Sequence, residues 1–109
     1  MDSEKQNKLF EKYSEIFSNR TLPKTQTLMC YGIACGDGWY NLIDKLCSDI
    51  VFYCKENNLE QPKAVQVKEK FGGLRFYIDG GDDKILKMIS KAECKSYKIC
   101  SKTGKSIIK

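Results

Sequence analysis

From Trp39 to Cys54 the apolar side chains return at every third or fourth position. They are Trp39, Leu42, Ile43, Leu46, Cys47, Ile50, Val51 and Cys54. This spacing gathers them on one stripe of an α-helix, with Asp44, Lys45 and Asp49 among the polar residues left outside it. Asp37 stands where an N-cap belongs, and Asn57 and Asn58 suit an exit, so the spacing predicts a central helix over 37–57. A stripe this strong must be covered by a second layer. In a chain of 109 residues, one domain with one modest core is expected.

The covering layer is readable on either side of the stripe. Over 64–79, Val65 and Val67 alternate with Gln66 and Lys68, and Leu74, Phe76 and Ile78 alternate with Arg75 and Tyr77. Gly72-Gly73 lies between the two runs, which predicts a β-hairpin turning there. An N-terminal segment 1–20 is expected to be mainly helix over 3–17, capped by Ser3, with Phe10, Tyr13, Ile16 and Phe17 on one face. A third helix is expected over 82–98, starting at Asp82 or Asp83 and turning Ile85, Met88, Ile89 and Ala92 inward. Residues 18–36 read as irregular, and 99–109 as a basic tail that adds a strand or frays. The fold class is α+β: three helices packed on a hairpin or small antiparallel sheet.

No stretch approaches the roughly 18 apolar residues of a membrane span. The N-terminus has neither the basic start nor the apolar run of a signal peptide, so a cytoplasmic protein without a membrane partner is expected. Six cysteines in a reducing compartment are expected to be free thiols. Cys47 and Cys54 lie at core spacing. A four-thiolate zinc site from Cys30, Cys35, Cys94 and Cys100 is the alternative, although their spacings of five and six are not those of paired zinc knuckles. Otherwise no cofactor is expected.

The chain has no histidine. That excludes Ser–His and Cys–His pairs and removes the commonest general base. Asp37, Asp44, Asp79, Asp82 and Asp83 could serve metal-dependent phosphodiester chemistry, but their spacing fits no motif. A binding protein is therefore expected rather than an enzyme.

The net charge of +5 is unevenly placed: residues 84–109 hold eight lysines against Glu93 alone. Lys84, Lys87, Lys91, Lys95 and Lys98 fall on one face of the third helix, a stripe suited to an acidic partner or nucleic acid. On the hairpin, the period of two sends Lys68, Lys70, Arg75 and Tyr77 to the face opposite the core. Cations around an aromatic ring can hold a phosphate and stack a base, and the backbone of the glycine turn can approach an anion. Cys35-Gly36-Asp37-Gly38-Trp39-Tyr40 places two glycines around an acid just before the central helix. There the backbone can come close to a ligand, with Asp37 and Trp39 as candidate binding residues.

Two motifs are similar to those of a family of small phage and prophage proteins without an assigned activity. They are Gly36-Asp37-Gly38-Trp39-Tyr40-Asn41-Leu42-Ile43-Asp44 and Val67-Lys68-Glu69-Lys70-Phe71-Gly72-Gly73-Leu74-Arg75-Phe76-Tyr77, and the resemblance spans roughly residues 30–104. Members often end in a Cys-x-x-Cys-Gly knuckle. Here Cys100-Ser101-Lys102-Thr103-Gly104 has threonine in place of the second cysteine, which argues against a complete zinc ribbon. The resemblance implies a protein acting in the host cytosol against host defence. The expectation is sequestration of an anionic nucleotide-type signal by Lys68, Lys70 and Arg75, with Tyr77 or Trp39 for a base. The alternative is an inhibitor that blocks a host protein or a nucleic-acid-binding surface through the basic helix. A homodimer completing a pocket across its axis is compatible with either.

Overall fold

The computed structural model describes residues 1–22, 29 and 32–107. Helix α1 (Ser3–Lys12) leads through a 3₁₀ turn (Ser18–Thr21) to a two-residue strand β1 (Ile33–Ala34). A second 3₁₀ turn (Asp37–Trp39) opens helix α2 (Tyr40–Glu56). The hairpin β2 (Lys63–Lys70) and β3 (Gly73–Asp79) and helix α3 (Asp83–Ser96) complete the order. The protein is α+β. Its sheet runs β1-β2-β3, with β1 parallel to β2 and β3 antiparallel to it. Parallel neighbours need a long crossover, and α2 supplies it between β1 and β2.

The apolar stripe of α2 is buried as its period requires: Leu42, Ile43, Leu46, Cys47, Ile50 and Cys54 all lie in the core. Opposite them come Val67, Leu74 and Phe76 from the sheet, Ile85, Ile89 and Ala92 from α3, and Leu9 and Phe10 from α1. Phe17 joins the layers, its ring centroid 5.3 Å from that of Phe10 and 6.4 Å from that of Phe76. Tyr13 fastens α1 to α2 by donating to the Asp44 backbone carbonyl at 3.0 Å and to its carboxylate. Burial and that carboxylate push the Tyr13 hydroxyl up to about 12.

Four features of the elements differ from expectation. Helix α1 stops at Lys12 instead of continuing to 17, and beyond it the Ile16 carbonyl accepts from Ala64 N of β2 at 2.7 Å. Ser3 does not cap α1; Asp2 holds that position, without a side-chain cap. A bulge between Ala64 and Gln66 resets the alternation of β2, so Ala64 enters the core and Val65 is only half-buried. The hairpin turns on Phe71-Gly72, while Gly73 is the first residue of β3.

Strand β3 is an edge, and an edge exposes backbone N–H groups. Here α3 lies along it. Leu74 N donates to Ser96 Oγ at 2.8 Å, and Phe76 N donates to Glu93 Oε2 at 2.9 Å. Asp82 caps the same helix, its Oδ1 accepting from Ile85 N at 3.0 Å. Ser96 is the buried polar residue of this contact. Ser96→Ala leaves the buried Leu74 N–H without its acceptor. The expected loss is about 1–3 kcal/mol of stability, read as a lower urea midpoint at unchanged m-value.

Candidate ligand-binding face

The pairing register builds the outer face of the sheet. Lys68 stands directly opposite Arg75, Gln66 opposite Tyr77 and Lys70 opposite Gly73, while Ala34 of β1 lies beside Lys68. Residues paired across strands share a face, so the three cations and Tyr77 meet on the side away from the core. Lys68 and Arg75 are half-buried; Lys70 and Tyr77 are exposed.

Two further aromatic residues border this patch, and neither is among those expected from the sequence. Tyr97 follows α3 and lies over Gly73, where a Cβ would fall 2.2 Å from its ring. Its hydroxyl accepts from Arg75 Nη2 at 3.1 Å, and Arg75 Nη1 donates to the Leu74 carbonyl at 3.1 Å. The guanidinium is thus held in place with most of its five donors still free for a ligand. Phe71 sits at the hairpin tip, 88% exposed, with the Lys70 ammonium 5.7 Å from its ring centroid. Tyr77 is 42% and Tyr97 46% exposed. Phe71 has φ 53° and Gly72 φ 81°, the positive pair of a type I′ turn. Asn-Gly is the usual occupant of such a turn. A phenylalanine there is both strained and wet, two costs that the exposed contact with the Lys70 ammonium offsets only weakly. A bulky residue breaking the local turn rule was the signal available in the sequence.

Trp39 and Asp37 do not join this face. Trp39 is fully buried, and its Nε1 donates to the Ile99 carbonyl at 3.0 Å, so it packs the core. Asp37 does not cap α2. Its carboxylate accepts from Asp2 N at 2.6 Å and lies 3.7 Å from Lys5 Nζ, and the Asp2 N–H holds it below the usual carboxylate range. It lines a cleft of about 480 Å³ with Lys5, Tyr40, Asn41, Lys102 and Thr103. The two glycines beside it do permit a close backbone approach, but to this chain's own tail. A Cβ on Gly36 would meet Ser101 O, and one on Gly38 would meet Cys100 O, each at 2.2 Å. Gly38 N donates to Ser101 O at 2.7 Å. Within the described part of the tail, residues 99–106 fold back as a tight turn closed by an Ile99–Ser106 bridge.

The lysine stripe is present on α3. Lys84, Lys87, Lys91 and Lys95 are exposed, and at about 100° per residue they fall within an arc of about 80°. Lys98 lies beyond the helix end at Ser96. The stripe points roughly 150° away from Ser96 and Glu93, and hence from the sheet edge that those two residues hold. The two cationic patches are separate surfaces.

Among the thiols, Cys35, Cys47 and Cys54 are buried, Cys94 is exposed and Cys100 half-buried, all free; Cys30 lies outside the described residues. Burial pushes the Cys35 thiol up to about 11. The Thr103 side chain and the backbone N–H groups of Thr103 and Lys102 hold the Cys100 thiol below its ordinary value. Among the described residues no three Cys, Asp or Glu side chains converge to hold a metal. The zinc alternative therefore gains nothing from Cys35, Cys94 and Cys100. Of the aspartates, Asp44 binds Tyr13 and Lys12, and Asp82 caps α3 while accepting from the Tyr53 hydroxyl at 2.6 Å. Both serve as fasteners between elements. Among the described residues no helix is long and apolar enough to cross a membrane. No family model, curated protein or solved structure matches this chain.

Phe71→Asn places the favoured residue in the type I′ turn. It is expected to raise stability by about 1 kcal/mol, seen as a higher melting temperature with the circular dichroism spectrum retained. Gly38→Ala forces the 99–104 turn off its seat. A loss of about 1–3 kcal/mol is expected, together with new tryptic cleavage at Lys102 and Lys105.

Proposed function

We propose that this chain is a non-catalytic binding protein whose outer sheet face holds an anionic, base-bearing ligand of the nucleotide type. One observation carries the reading. Lys68 lies directly opposite Arg75, with Lys70 on the same face, inside a border of exposed Phe71, Tyr77 and Tyr97. Like charges directly opposed across strands destabilise their own pairing, and a phosphate group between them reverses the sign of that interaction. Aromatic faces beside the phosphate site supply stacking surfaces that any base can use. Composition supports binding over chemistry, because without histidine the chain lacks the ordinary means of activating a nucleophile. The motif resemblance to phage and prophage proteins supplies the setting: the face would withdraw a nucleotide signal of host defence by stoichiometric capture.

The test starts with native mass spectrometry of protein purified gently from defence-active cells, which weighs any ligand that stays bound. Isothermal titration against linear and cyclic di- and trinucleotides follows. Binding is expected with one face per chain. Arg75→Glu is expected to weaken it at least tenfold with the fold intact, and Phe71→Asn to weaken it several-fold although the protein is more stable. Equal affinity in wild type and Arg75→Glu, or no binding by any of these nucleotides, overturns the reading.

A further inference from the structure

The stripe side of α3 carries a feature that the sheet face does not use. Where α2 and α3 pack together they leave a groove of about 300 Å³. Its floor is apolar, made by Leu42 and Leu46 of α2 and Met88 and Ala92 of α3. Its rim is charged: Lys91 and Lys95 on the α3 side, Lys45 and Asp49 on the α2 side. Lys45 and Asp49 neutralise one another at 2.9 Å. Among the described residues Lys91 and Lys95 have no acidic partner, so the rim is net positive. Lys87, Lys91 and Lys95 are spaced four residues apart, and like charges at that spacing destabilise the helix that bears them. The arrangement is therefore a slot with an unmet demand for negative charge along one side.

We propose that this groove docks an acidic amphipathic helix of a partner protein. The partner's apolar side chain would fill the slot between Leu46 and Met88. Acidic residues one turn apart on the partner would pair with Lys91 and Lys95, which are themselves about 6 Å apart along α3. Helix-in-groove recognition works through such an i, i+4 anchor pattern. A nucleic-acid backbone would satisfy the lysines but leave the apolar slot unfilled, so the slot favours protein. This surface is distinct from the sheet face and stands or falls independently of it.

The probe is a 15-residue fluorescent helical peptide with Leu at i, i+3, i+4 and i+7 and Glu elsewhere. Its controls are a scrambled peptide of identical composition and a 15-nucleotide poly-dT strand. Binding to the full chain is followed by anisotropy and by NMR shifts of the Met88 and Leu46 methyl groups. The patterned peptide is expected to bind at least tenfold tighter than the scrambled one and to shift those methyls. Lys91→Glu/Lys95→Glu, two exposed positions where the fold is checked by thermal melting, is expected to weaken it at least tenfold. Met88→Gln is expected to weaken the patterned peptide alone. Three results overturn the proposal: equal binding of both peptides, poly-dT binding at least as tight as the patterned peptide, or no peptide binding. Concentration-dependent self-association that disappears in the double variant also overturns it, assigning the groove to a second copy of the chain.

Discussion

The two hydrogen bonds that α3 accepts from the free edge of β3 determine where the surface features described above lie. Leu74 N and Phe76 N would otherwise face water at an open edge, and Ser96 and Glu93 accept from them instead. That contact sets the rotation of α3 about its own axis. With the polar acceptors aimed at the strand, Ile85, Ile89 and Ala92 must face α2 and the core. The lysines must then face away. It also places Tyr97, just past the helix end, over Gly73 and beside Arg75. One edge contact thus completes the border of the sheet face and opens the lysine-rimmed groove on the other side.

A second constraint acts at the start of α2. The tail turn packs so closely on Gly36 and Gly38 that no side chain fits at either position. Trp39 is held from the same side through the Ile99 carbonyl. The 3₁₀ turn, the buried indole and the C-terminal turn therefore form one unit. A motif that suggests ligand contact in the sequence proves to be an internal joint. The glycines are there for close backbone approach, as their chemistry implies; the approaching backbone belongs to the same chain.

Phe71 is the opposite case. It is strained and exposed, and its exposed cation–π contact with Lys70 offsets only part of that cost. In a small domain of ordinary stability, about 1 kcal/mol is not negligible. Together with the opposed Lys68 and Arg75, it makes the outer sheet face the place where local rules of turn chemistry and charge pairing are broken at once. Such departures gather at functional surfaces.

The sequence by itself determined the elements whose signal is local. The apolar period of α2 and of α3, the alternation of β3 and the grouping of Lys68, Lys70, Arg75 and Tyr77 on one face all follow from side-chain spacing, because 3.6 and 2 are properties of the backbone alone. Tertiary structure decided whatever depends on a distant partner. The course of the chain past Lys12 depends on the bond between Ile16 and Ala64, the role of Asp37 on Asp2 and Lys5, and the roles of Trp39 and the two glycines on the returning tail. The recruitment of Tyr97 depends on the edge of β3. None of these partners is near in sequence, and a hydrogen bond or close contact made across 22 residues or more leaves no period for a sequence to display.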